Sequence, residues 1–128
     1  METTFKYLIS IIFLTLVIKG TCYNCPLNTL QIAQTKFGPP IQGKPQWRVS
    51  ITNNCNCVQS QILLSCKGFQ TALSIDPLIL KIQGDTCLLY NGHVLAYNNT
   101  DAFSYAWDTA YPFAPVSSIS SPPCNSEK

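Results

Sequence analysis

Charge is scarce in this chain, and histidine scarcer still. Lysine, arginine, aspartate and glutamate together make up 11% of its 128 residues, and His93 is the single histidine. That scarcity removes most enzyme readings. Ser-His-Asp and Cys-His centres need a histidine base, and His93, just after Asn91-Gly92, reads as a surface-loop residue. Paired catalytic carboxylates need two acids across a cleft. Asp76 stands before Pro77 and Asp85 after Gly84, so both read as turn residues that cap their own backbone. Asp101 and Asp108 flank an aromatic stretch and read as solvent-facing. There is no Gly-rich phosphate loop and no Asp-x-Asp pair to hold a nucleotide-sugar metal. The chain is therefore read as non-enzymatic, with no catalytic, cofactor-binding or metal residue.

Long apolar runs are equally short. Tyr7–Ile18 is the longest, and it falls well below the roughly 20 residues a membrane span requires. Preceded by Lys6 and followed by Lys19-Gly20-Thr21-Cys22, it reads as a secretory leader over residues 1–22, with Gly20 and Cys22 at the −3 and −1 positions. Residues 23–128 then form one exported domain with six basic and five acidic side chains. Such a balance carries no footprint for nucleic acid or an anionic membrane.

Cysteine is present in quantity. Once Cys22 leaves with the leader, Cys25, Cys55, Cys57, Cys66, Cys87 and Cys124 remain. An even number in a small exported chain indicates three disulfides. Residues 23–128 contain no Cys-x-x-Cys pair, which argues against zinc. Six cysteines allow fifteen connectivities, and the sequence does not choose among them. Cys55 and Cys57 are two apart, too far for an unstrained mutual bond in extended chain, so each is expected to reach a distant partner.

Between the cysteines, apolar residues alternate. Trp47, Val49 and Ile51 share one face of Gln46–Thr52, and Ile62, Leu64 and Cys66 share one face of Gln61–Cys66. The same period runs through Phe69, Thr71, Leu73 and Ile75, through Leu78, Leu80 and Ile82, and through Phe103, Tyr105 and Trp107. Leu27–Gln34 is a weaker first strand, with Leu30 and Ile32 pointing one way. Period two marks half-buried strands. Turn residues separate them at Gly38-Pro39-Pro40, Lys67-Gly68, Asp76-Pro77, Gly84-Asp85 and Asn98-Asn99-Thr100. Asn91-Gly92 carries the signature of a two-residue hairpin. The Pro- and Ser-rich tail from Tyr111 to Lys128 is expected to lack long regular structure. The resulting expectation is all-β: a small antiparallel β-sandwich stapled by about three disulfides, with Trp47, Phe69, Phe103, Tyr105 and Trp107 in its core.

Asn98-Asn99-Thr100 is also an N-glycosylation acceptor, so Asn98 is a candidate modification site. Asn53-Asn54-Cys55 matches only the rare cysteine form and is better read as a strand end leading to a bridge.

Several of these segments resemble one plant family. They are Gln42-Gly43-Lys44-Pro45-Gln46-Trp47-Arg48-Val49, Asn54-Cys55-Asn56-Cys57, Leu64-Ser65-Cys66-Lys67-Gly68-Phe69, Asp76-Pro77, Gly84-Asp85-Thr86-Cys87-Leu88, Asn91-Gly92, Phe103-Ser104-Tyr105-Ala106 and Cys124. Over about residues 25–124 the chain resembles the tapetum determinant family of small secreted cysteine-rich proteins. It is especially similar to a divergent branch whose members are often mislabelled as N-acetylglucosaminyltransferases. The resemblance implies a β-sandwich with the six cysteines as its frame. It implies an extracellular, apoplastic ligand of a leucine-rich-repeat receptor-like kinase ectodomain, involved in cell fate determination in the anther. Apart from the resemblance, the charge balance, the short apolar run and the missing motifs point to no cofactor, no nucleic acid and no membrane after leader cleavage. The alternative is a carbohydrate- or cell-wall-binding module, which requires Trp47 and Trp107 to lie open to solvent as sugar platforms.

Overall fold

The structure is a computed structural model that describes residues 24–124. The expected leader, residues 1–22, lies outside the described residues. Seven strands form two sheets. β1 (Leu30–Lys36), β2 (Gln46–Asn53) and β6 (Thr100–Ala106) make a three-stranded sheet in the order β1-β2-β6. β3 (Cys57–Ser65), β4 (Leu80–Gln83), β5 (Thr86–Leu89) and β7 (Pro115–Cys124) make a four-stranded sheet in the order β4-β5-β3-β7. All pairings are antiparallel. No helix among the described residues is long and apolar enough to cross a membrane.

The alternation in the sequence decides which face of each strand turns inward. In β2, Val49, Ile51 and Asn53 are buried while Arg48 is exposed. The partner sheet contributes Ile62, Leu64, Leu80, Cys87 and Leu89 to the same core, Cys66 joins it just after β3, and β6 adds Phe103 and Tyr105. Each large apolar side chain fully buried in this way stabilises the fold by about 1.5–3 kcal/mol. Phe69, Tyr105, Tyr111 and Phe113 meet edge-to-face or tilted, with ring centroids 4.8–5.7 Å apart. Phe103 and Tyr105 are buried, whereas Trp47, Phe69 and Trp107 are half-buried and pack on the core from its rim.

Three local expectations need correction. Phe69–Ile75 is not a strand. Thr71 Oγ1 accepts from Leu73 N and donates to Leu73 O, so the side chain closes a local turn that competes with ladder pairing. The segment instead lies along the outer edge of β6, where Ala72 N donates to Ala106 O. Asn91-Gly92 does not turn a hairpin. Both residues take positive φ, 57° and 81°, but within a 3-10 turn (Tyr90–Gly92) after which the chain crosses to the other sheet. The two-residue hairpin lies at Gly84-Asp85, joining β4 to β5, with Gly84 at φ 66°. The tail is not irregular either. Pro115–Cys124 is a ten-residue edge strand paired to β3 with register shifts. An edge strand tolerates its three prolines because one row of its N–H groups has no ladder partner to lose.

Candidate functional site

The sequence-derived candidates separate to opposite poles of the three-stranded sheet. At one pole β1 begins, β2 ends and β6 begins; Leu30 pairs with Asn53, and Thr52 pairs with Thr100. Here the structure pairs Cys25 with Cys55 and Cys57 with Cys124. The third bridge, Cys66–Cys87, is buried between β3 and β5. Cys55 and Cys57 thus reach different partners, separated from them by 30 and 67 residues. The sulfurs of Cys25, Cys55 and Cys57 lie within 4.8 Å of one another. As disulfides they offer no thiolate, the form that binds a metal.

A buried amide network supports this pole. Asn53 is fully buried; its Nδ2 donates to Cys57 O and Leu95 O, both at 2.9 Å. Its Oδ1 accepts from Cys55 N at 2.9 Å and from Gln59 Nε2 at 2.8 Å. Gln59, also fully buried, donates to Thr29 Oγ1 and accepts from Ser118 Oγ. Asn53 and Gln59 therefore lock the corner between the sheets, a role the sequence reading missed. The signal was available: continuing the Val49–Ile51 alternation one step turns Asn53 inward. Outside this network, two shallow clefts of about 360 and 310 Å³ share Asn56 and Tyr97. Asn98 follows on the same loop, exposed, at φ 70°.

The opposite pole is basic and aromatic. There β1 gives way to the loop 37–45, β2 begins and β6 ends. Lys36 Nζ sits 5.6 Å from the Trp47 ring centroid, Lys44 Nζ 4.7 Å from that of Trp107, and Arg48 Cζ 5.4 Å from that of Phe37. Trp47 Nε1 donates to the backbone carbonyl of Trp107 at 3.1 Å, tying the Trp47 indole to the chain just after β6. One acid enters the cluster, Asp108, which holds Lys44 Nζ at 3.2 Å from each carboxylate oxygen. Phe37 is 55% exposed. The lysine heads lie over both indoles, and the indoles pack on the core, so neither ring is the bare platform that a sugar would stack on.

The remaining candidates fall between the poles. His93 is exposed, but its Nε2 lies 2.7 Å from Asp101 Oδ2 and its ring stacks on Tyr90. Asp101 is buried, not solvent-facing as expected, because the crossover after β5 lays His93 against it. Among the described residues no serine, threonine or cysteine side chain hydrogen-bonds the His93 ring, so no nucleophile completes the pair. Asp76 behaves as the sequence suggests, accepting from Leu78 N in a turn. Burial pushes the Tyr90 hydroxyl above its usual value, the Asp101 carboxylate adds to that, and Arg48 opposes it. Burial likewise raises Tyr105, partly offset by the hydrogen bond it accepts from Tyr111 N.

Fold and covalent frame together define a small disulfide-stapled β-sandwich with a pre-formed surface. The chain belongs to the tapetum determinant family: the family model described as tapetum determinant 1, C-terminal, matches residues 26–121. TPD1 protein homolog 1 of Arabidopsis thaliana is 28% identical over 100 residues, covering 76% of this chain. The chain spans about half the length of that curated relative, 55% of it. No solved structure gives a significant match.

Proposed function

We propose that this protein is a secreted, non-enzymatic signalling ligand of plant reproductive development. It is exported through a leader over residues 1–22 and read in the apoplast by a leucine-rich-repeat receptor-like kinase ectodomain. The family match across residues 26–121 is the observation that carries this reading. Physical chemistry supports it. Three disulfides fix the loops before any partner arrives, so docking loses little ordering entropy. The concave inner face of a repeat receptor matches a compact sandwich in shape.

The basic–aromatic pole is the docking face in this reading. Arginine and tryptophan are the residues most enriched where binding energy concentrates. Lys36, Lys44 and Arg48 are three of the five described cations, held over rings that limit their freedom before contact. The partner surface is expected to be acidic.

The test is titration of the purified secreted protein onto a panel of leucine-rich-repeat ectodomains from its own species. Saturable binding to one member is the expected result. Absence of saturable binding across the panel overturns the receptor assignment.

A further inference from the structure

We propose that Asn98 carries an N-linked oligosaccharide in the exported protein, and that this sugar covers the disulfide pole and leaves the basic–aromatic pole as the face presented to partners. The inference rests on the export reading above, and the experiment below separates the two.

The chain holds two acceptor patterns, and the fold treats them oppositely. In Asn53-Asn54-Cys55, Asn53 is fully buried and all four capacities of its amide that the network uses are directed inward, to Cys57, Leu95, Cys55 and Gln59. The hydroxyl-type third residue is replaced by Cys55, whose sulfur is bonded to Cys25. A sugar on Asn53 is incompatible with this core. In Asn98-Asn99-Thr100, neither Asn99 nor the following Asp101 is proline, and all three sequon residues are exposed. The Asn98 side-chain amide makes no hydrogen bond to the described residues; only its backbone N–H is used, donating to Asn53 O. Its φ of 70° suits asparagine and aims the residue outward from a turn.

In the secretory lumen the chemistry balances without a redox step. Asn98 Nδ2 forms a bond to the anomeric carbon of an oligosaccharide carried on a lipid diphosphate. The C–O bond of the donor breaks, the lipid diphosphate leaves with its electron pair, and the amide gives up one proton. The sugar then emerges beside Tyr97, which is 37% exposed and lines both shallow clefts with Asn56. That ring offers an apolar face beside amide groups, on which the first sugar units can rest. From the β1 start, beside Asn53 and Asn98, to Lys36 is six strand steps, about 20 Å along the sheet. The attachment point is thus at the far end of the sheet from Trp47 and Arg48.

The full chain is expressed in plant cells and recovered from the medium. Treatment with an amidase that releases N-linked glycans, followed by peptide mass mapping, is expected to convert Asn98 to aspartate and leave Asn53 unchanged. Asn98→Asp, which keeps the positive φ accessible, is expected to secrete at the unglycosylated mass. Thr100→Ser keeps both the acceptor pattern and a hydroxyl for Thr52, and is expected to remain glycosylated. Secreted protein with bare Asn98, or with sugar on Asn53, overturns the site. Loss of the chain from the medium for every variant overturns export instead. For the orientation, Asn98→Asp is expected to bind the ectodomain found above within twofold of the glycosylated chain. A loss of tenfold or more places the glycan in the interface and overturns that part.

Discussion

Asn53 shows how one polar side chain holds a corner of this fold. Its amide satisfies groups from the β2–β3 corner, from the crossover at Leu95 and from β3 itself. Truncating it leaves buried donors and acceptors unpaired, each costing about 1–3 kcal/mol. Asn53→Ala is expected to lower stability by about 3 kcal/mol, read as a drop in the denaturant midpoint at unchanged slope. A change below about 1 kcal/mol contradicts the role given to it. The residue was only half legible in the sequence. Alternation turns position 53 inward, but nothing local says that Gln59 and Leu95 arrive to receive an amide. Asp101 illustrates the same limit: its burial comes from a crossover eight residues earlier in the chain, which pattern reading cannot locate. Tyrosine titration belongs at this scale too. Tyr90 and Tyr105 both have their hydroxyl pKa raised in the folded state, above a value near 10 when unfolded. The folded chain therefore keeps protons that the unfolded chain has lost, and stability falls as pH rises through that interval. Below about pH 9 these groups leave stability flat; above about pH 10 the denaturant midpoint is expected to decline, with Tyr105→Phe showing a shallower decline. An equal alkaline slope in the variant removes Tyr105 from the account.

At the scale of elements, covalent closure decides how much each segment matters. The Cys57–Cys124 bridge spans 67 residues and the Cys66–Cys87 bridge 21. In the chain-entropy picture the longer loop stabilises by about 4 kcal/mol and the shorter by about 3. The Cys57→Ser/Cys124→Ser pair is expected to destabilise more than the Cys66→Ser/Cys87→Ser pair on entropic grounds. It also frees β7, an edge strand with β3 as its single strand neighbour. The discriminating measurement is protease susceptibility near Ser117–Ser121, which should rise in the first variant and not in the second. Strands whose period was uninterrupted, β2 and the half of β3 after Gln61, were plain in the sequence. β7 was hidden by its prolines, which forbid a central strand but not an edge. Phe69–Ile75 misled in the other direction: its apolar spacing is that of a strand, yet the Thr71 hydroxyl takes up the backbone of Leu73 and the N–H of Ala106 in place of a ladder. A period-two pattern reports which side chains face inward, not whether the backbone between them has a ladder partner.

For the whole molecule, the separation of the two poles matters more than any pocket. The six cysteines and the sandwich were readable from count, spacing and alternation, whereas the basic–aromatic cluster was not. Lys36, Lys44 and Arg48 look scattered in the sequence, and come to one end of the sheet because β1 and β2 pair in register, with Lys36 opposite Trp47 and Thr35 opposite Arg48. The double charge reversal Lys36→Glu/Arg48→Glu is expected to weaken ectodomain binding by at least tenfold. The loss should fall mainly on the association rate and shrink in high salt. Both residues are exposed, so the fold itself should be retained. Unchanged affinity with an intact fold would move the docking face elsewhere.

Cys25 N donates to Ser120 Oγ, and Cys25, Cys55, Cys57 and Cys124 pack together. The segment around Cys25 that opens the described chain and the strand that closes it, β7, are consequently moored side by side. Any tether spliced onto either one leaves from a shared anchorage, with Lys36 and Phe37 on the far shore. An attachment made at either end of the described segment would hold the basic–aromatic pole outward.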